Sequence, residues 1–306
     1  MPLDYLDADV AYLLGLITAR GTITVQGGLR TLSIEFPYKN LEAEGVTKKF
    51  DKHDSLIAGL APIRARIAEL AESDVDISSG SYAAVLSIRG TKNTVFWRDI
   101  TMFFGNKTSY AEFDVPDQIF EAESTAQKEF MRGFADVAGT VRKSNAFQDG
   151  RHRVYLDVLN QNWTLPVRLC RLLQDELRVP VQTITYGHPN MRDPSKKEYK
   201  AGRRDAWARE HQIKIFCEAF IKVGFYIPYK QEILEELAQS NAGLPKPVEC
   251  TLPKPKRRGK KRHPAESSSK LPPQIRGKHY DAYWEICRDL GCWRYQQLLK
   301  QNKKLS

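Results

Sequence analysis

Several features that mark large protein classes are missing from this sequence. Its five cysteines (Cys170, Cys217, Cys250, Cys287, Cys292) are odd in number and form no C-x-x-C pair. That excludes a disulfide framework and a zinc ribbon, and reduced thiols are expected. No run approaches the roughly 20 apolar residues of a bilayer span, so no membrane partner is expected. Residues 1–9 carry three acids and no base, unlike a secretory or organellar address. No Gly-rich phosphate loop follows a strand and there is no nucleophile elbow. The six histidines (His53, His152, His188, His211, His263, His279) show no zinc-like spacing. No cofactor and no metal is expected.

What is present is enough for a core: 306 residues, 42% hydrophobic and 10% aromatic. Trp97, Trp163 and Trp284 fall in helical apolar patterns and are expected to pack inside. The net charge of +10 is unevenly spread. Residues 1–124 hold 12 bases and 18 acids, whereas residues 125–243 hold 19 and 14. Residues 244–278 hold 11 bases and 2 acids, with little apolar content, and read as a basic flexible linker. Residues 279–306 regain aromatics and helical spacing and read as a small helical element.

An internal repeat organises the core. Ala11-Tyr-Leu-Leu-Gly-Leu-Ile-Thr-Ala-Arg-Gly-Thr-Ile23 aligns with Glu129-Phe-Met-Arg-Gly-Phe-Ala-Asp-Val-Ala-Gly-Thr-Val141, placing Gly15 on Gly133 and Gly21 on Gly139. In the first copy the helix is followed by runs at 22–26 and 30–36 around Gly27-Gly28, a helix at 54–71, runs at 74–78 and 81–89, and a helix at 92–104. In the second copy the corresponding segments are 125–138, 140–147, 151–158, 163–177, 179–186, 211–216 and a helix from about Cys217. The order αββαββα therefore occurs twice, giving an α+β fold of two repeats, 1–113 and 125–243, joined by a linker at 114–124. Ser124-x-x-Gln127 has the pattern of a capping box. Gly15 and Ala19, with Gly133 and Val137, lie one helical turn apart and would let two helices meet backbone to backbone. Gly21 and Gly139 are expected as C-terminal caps.

Leu13-Leu-Gly-Leu-Ile-Thr-Ala-Arg-Gly21 and Met131-Arg-Gly-Phe-Ala-Asp-Val-Ala-Gly139 resemble the two signatures of the LAGLIDADG homing endonucleases. The resemblance covers about residues 10–224. It implies a pseudo-two-fold arrangement in which saddle-shaped antiparallel sheets grip DNA, with an acid at the eighth place of each signature holding divalent metal. Those places carry Arg20 and Ala138. A guanidinium cannot ligate Mg²⁺ and a methyl group offers no oxygen, so catalytic residues are expected to be absent. Asp136 is roughly 200° around the helix from such a place and should point away. Arg20 has three readings: a phosphate contact, a buried salt bridge with Asp136, or a helix C-terminal contact. Asp4, Asp7 and Asp9 are explained by capping and the helix dipole.

The strands alternate. Thr22, Thr24, Gln26, Thr31, Ser33, Glu35, Ser87, Arg89, Arg142, Ser144, Arg153, Tyr155, Asp157, Gln212 and Lys214 form the polar register. Ile23, Val25, Leu32, Ile34, Phe36, Val154, Leu156, Val158, Ile213 and Ile215 form the apolar one. A polar sheet face suits reading of base edges, and a solvated face has the same pattern. The expected nucleic-acid contacts are Thr24, Gln26, Arg30, Ser33, Arg89, Arg142, Lys143, Arg153, Tyr155 and Lys214. To these are added Arg192, Lys196, Lys197, Lys200, Arg203 and Arg204 of the basic insertion 187–210, and Lys256, Arg257 and Arg258 of the linker. The expected partner is double-stranded DNA bound without cleavage by a monomer. Three alternatives stay open: structured RNA bound by a maturase-like splicing cofactor, a Mg²⁺-dependent endonuclease with relocated acids, and a protein partner docked by residues 280–300. The expected location is cytoplasmic or nucleoid-associated, or nuclear if residues 254–262 act as an import signal in a eukaryotic source.

Overall fold

The computed structural model describes residues 6–91, 95–144, 151–159, 164–189 and 209–244. The first helix, α1 (Ala8–Arg20), starts where the Asp7 carboxylate accepts the N–H groups of Asp9 and Val10 at 2.9 and 2.8 Å. This is N-capping by the residue type suited to it. The chain passes directly into β1 (Gly21–Gln26), turns at Gly27-Gly28 and returns as β2 (Leu29–Pro37). Both turn glycines have positive φ, 56° and 85°, which a tight hairpin of this hand requires.

Short elements α2 (Tyr38–Leu41), β3 (Ala43–Glu44) and β4 (Lys49–Phe50) come next. They are followed by α3 (His53–Ala58), α4 (Ala61–Ala71), β5 (Val75–Ser79), β6 (Ala83–Thr91), α5 (Val95–Phe104) and α6 (Asp117–Glu121). The helix expected at 54–71 is thus two helices, broken at Gly59-Leu60, and the expected linker contains a helical turn. In the second copy, α7 (Ser124–Ala138) leads into β7 (Gly139–Arg142) and β8 (Arg153–Leu159), then α8 (Leu165–Arg171), extended by a wider turn over Leu172–Glu176. The strands β9 (Thr183–Pro189) and β10 (Arg209–Phe216) precede α9 (Cys217–Phe220) and α10 (Pro228–Ala242). The final expected helix is therefore also two.

The strands form two sheets, ordered β1-β2-β6-β5 and β4-β3-β7-β8-β10-β9. Pairing is antiparallel except between β3 and β7, where Ala43 lies beside Val141. Two short strands from the first repeat, β3 and β4, thus complete the sheet of the second. The apolar register is buried as the alternation requires, with Leu32, Ile34, Phe36, Val154, Leu156, Ile213 and Ile215 in the core. Val25 departs from it and is 57% exposed, because it lies at the hairpin end.

The helices α1 and α7 cross at their glycines. A Cβ built on Gly15 would lie 2.1 Å from the Phe130 carbonyl oxygen, and one on Gly133 would lie 2.1 Å from that of Tyr12. Real Cβ atoms do not come that close, so only glycine lets the two backbones touch. Ala19 and Val137 are buried on the same helices.

Gly21 and Gly139 end α1 and α7 as expected, with extended φ of −81° and −87°. Glycine is needed there for space: a Cβ would lie 2.7 Å from the Ile17 oxygen or 2.4 Å from the Ala135 oxygen. The expected capping box at Ser124 is corrected: Ser124 does not cap α7. Glu123 occupies the cap position without a side-chain bond, and the Gln127 amide donates back to the Phe120 carbonyl instead.

Candidate nucleic-acid interface

Where α1 runs into β1, Arg20 ends in a buried cluster of opposite charges. Its Nη2 donates to Glu210 Oε1 at 2.8 Å, and Lys39 Nζ reaches both Glu210 oxygens at 3.0 and 2.8 Å. Lys39 also lies 3.8 Å from Asp157 Oδ2, whose other oxygen accepts from the Gln212 amide at 2.9 Å. The Arg20 guanidinium sits 5.2 Å above the Tyr110 ring. The Arg20 and Glu210 side chains are 11% and 9% exposed. Burial works most strongly against the Arg20 charge, but the Glu210 carboxylate and the Tyr110 hydroxyl together offset it and hold the guanidinium above its ordinary pKa. Burial, and then the adjacent Glu210 charge, push the Asp157 carboxyl above the usual range.

The cluster brings the repeats together, since Arg20 and Lys39 come from the first and Asp157, Glu210 and Gln212 from the second. The partner of Arg20 is therefore Glu210, and the Asp136 pairing is corrected. Asp136 lies on another face. It accepts from the Tyr12 hydroxyl at 2.7 Å and from the N–H groups of Tyr226 and Ile227 at 3.1 and 3.3 Å. Asn40 lies near the end of α7, its amide donating to the Val137 carbonyl at 3.2 Å and its oxygen accepting from the Thr140 hydroxyl at 3.4 Å.

These residues do not fit a divalent ion. Both Glu210 oxygens are engaged by cations, Asp157 faces Lys39, and Ala138 in the repeat-related place brings no donor. The two cations balance the two acids, so the charge that a metal would supply is already there.

The polar register spreads on either side. In the first sheet Thr22, Ser33, Ser87 and Asp76 stand in one row across four strands, and Thr24, Thr31 and Arg89 form the next. Thr24, Gln26 and Arg89 are exposed and Ser33 is half-buried. In the second sheet Thr140, Tyr155 and Lys214 form one row, and Arg142, Arg153 and Phe216 another. Arg142 and Lys214 are half-buried, while Lys143 is exposed just past the end of β7. Hydroxyls, amides and guanidinium groups in such rows can pair with base edges or phosphates.

Three expected contacts are not available in this way. Arg30 shares the register of Leu32 and Ile34, on the helix-covered side, and its Nη1 donates to Thr101 of α5 at 3.0 Å. Arg153 and Tyr155 keep the polar register but are only 4% and 8% exposed. The Phe216 ring lies 5.3 Å from the Arg153 guanidinium, Arg142 covers the Tyr155 ring at 5.0 Å, and the Tyr155 hydroxyl meets Ser144 at 3.3 Å. The Tyr155 hydroxyl is thus engaged by a neighbour, and burial keeps the Arg153 side chain from the surface.

Arg192, Lys196, Lys197, Lys200, Arg203, Arg204, Lys256, Arg257, Arg258 and the element at 280–300 lie outside the described residues. The sequence reading missed Lys39, Glu210 and Tyr110. Glu210 has a readable signal, since it continues the polar register of Gln212 and Lys214. Lys39 has none, because it follows an apolar run in a four-residue helix. Among the described residues no helix is long and apolar enough to cross a membrane.

No protein-family model matches the chain, and no curated protein matches it significantly. Among solved structures, the homing endonuclease I-DmoI in complex with DNA and calcium is 16% identical over 76% of this chain and 99% of its own, with a TM-score of 0.40. Full-length DUF199/WhiA from Thermatoga maritima is 12% identical over 81% of this chain and 65% of its own, with a TM-score of 0.43. The N-terminal LAGLIDADG domain of DUF199/WhiA is 13% identical over 82% and 88%, at 0.35. At these scores and identities the likenesses carry no functional conclusion.

Proposed function

We propose that this chain is a LAGLIDADG-like protein that binds double-stranded DNA in a sequence-dependent manner and does not cut it, acting as a regulator or targeting factor. The observation that carries the reading is the filled ionic cluster at Arg20. A carboxylate there would recruit Mg²⁺ to activate water and hold a phosphate. The arginine instead neutralises Glu210, and the repeat-related Ala138 is inert. Around that centre two sheets present rows of Thr, Ser, Gln and Arg over an apolar underside, a pattern suited to contacts in a major groove. The second repeat and the residues beyond it bring the positive charge that duplex phosphates attract.

The test is selection of duplexes from a random library by the purified full chain, with and without Mg²⁺. Enrichment of a defined sequence without cut strands is the expected outcome. Strand scission that needs Mg²⁺ and stops with chelator would overturn the non-cleaving part. Failure to enrich any duplex, with retention of structured RNA under the same salt, would move the assignment to RNA.

A further inference from the structure

At the free end of the first sheet the polar register changes chemistry. Gln26 and Leu29 are direct partners across β1 and β2, and Gly27-Gly28 closes the turn between them. Both glycines hold positive φ, and a Cβ built on either meets nothing within 4 Å, so the tip stands clear of the rest of the fold. The register runs unbroken along both strands. Gln26 therefore shares its face with Thr22 and Thr24, and Leu29 shares it with Thr31 and Ser33. Both side chains are exposed, Leu29 to 44%.

Packing gives no reason for a leucine at this place. The helix-covered side of β2 is filled by Leu32 and Ile34, with Arg30 bonded to Thr101, and Leu29 lies outside the core. It stands instead in the row beyond Thr24, Thr31 and Arg89, on the face suited to base edges. Facing residues of a hairpin have Cβ atoms about 5 Å apart, so an amide and an isobutyl group are held side by side there. One A·T pair in a major groove presents the complement of both. Adenine N6 and N7 accept and donate to a glutamine amide, and the thymine C5-methyl meets an apolar group. A G·C pair offers no methyl and replaces the adenine amino donor with an acceptor. Contact between Leu29 and a thymine methyl would also remove apolar surface of both from water.

Resting on the duplex-binding reading above, we propose that Gln26 and Leu29 together read one A·T base pair, Gln26 taking the adenine edge and Leu29 the thymine methyl. Because β1 runs from the Arg20 cluster to the tip, that pair lies at the outer end of the sequence met by the first sheet.

The test uses the duplex recovered by selection with the full chain, and copies of it in which one thymine at a time is replaced by deoxyuridine, which pairs alike but lacks the methyl. Binding of wild type, Leu29→Ala and Gln26→Ala is measured by fluorescence anisotropy. One deoxyuridine position toward the outer end should weaken wild type about four-fold, the worth of one buried methyl group, and should leave Leu29→Ala unaffected. At the same base pair Gln26→Ala should reduce the preference for A·T over G·C by at least about five-fold. Both variants should keep the wild-type preferences elsewhere in the duplex. Equal binding of wild type to every deoxyuridine duplex, an undiminished deoxyuridine penalty in Leu29→Ala, or a recovered duplex with no fixed A·T pair toward that end would overturn the proposal and leave duplex binding intact. Failure of wild type to recover any duplex would end both.

Discussion

At Gly133 a methyl group has nowhere to go. The nearest atoms to a built Cβ are the Tyr12 carbonyl oxygen and carbon at 2.1 and 3.0 Å and the Leu16 nitrogen at 3.2 Å, all backbone atoms of a packed helix. Gly133→Ala should therefore destabilise by about 3 kcal/mol, the upper end of ordinary overpacking, measured by urea unfolding. Three residues further along α7, Asp136 combines burial with hydrogen bonds from Tyr12, Tyr226 and Ile227. Burial raises its carboxyl to about 6, with Lys230 and the donors pulling the other way. A raised acid contributes most below its ordinary value and less as pH climbs through the folded-state value. The stability difference between wild type and Asp136→Asn should therefore shrink as pH rises from about 4 to about 7. A difference that grows over that interval would contradict the assignment.

Helix ends and strand registers account for much of what sequence could and could not reveal. The paired glycines and the alternation in β2, β8 and β10 announce two helices in contact and two one-sided sheets, because close backbone approach and burial of one face each demand particular residue types. The identity of Arg20's partner was not legible. Glu210 lies 190 positions away in another strand, and nothing in local spacing separates it from other acids. Arg30 misled for a related reason: it stands on the apolar register, and only α5 supplying Thr101 makes that position tolerable. The central cluster should be costly to break. Glu210→Ala would leave the Arg20 and Lys39 charges buried without their carboxylate, and removing one member of a buried pair typically costs about 3–5 kcal/mol. The expected loss is about 3 kcal/mol by thermal or urea unfolding, and Arg20→Met together with Glu210→Met should cost less than Glu210→Ala alone.

Over the whole molecule the two repeats are not separate bodies. The helices α1 and α7 touch through their backbones, the ionic cluster draws on both repeats, and β3 lies in the sheet of the second. Unfolding of residues 6–244 should be a single transition, with tryptophan fluorescence and far-ultraviolet circular dichroism giving coincident midpoints. Two resolved transitions would show that the repeats melt apart. The same view limits how far sequence can describe binding. The rows on the sheets follow from alternation, whereas residues 187–210 and 244–278 are identified by their charge and not by any periodicity.

The two-residue strand β3 also has a consequence for synthesis. Because the ribosome delivers the first repeat before the second, Ala43 and Glu44 must wait for Val141 and Arg142 to emerge before their parallel neighbour exists. Until then the nascent first repeat carries an incomplete edge and an uncovered helix face at Gly15. Ribosome-bound chains halted near residue 113 should therefore be digested more readily by protease than chains halted after residue 244.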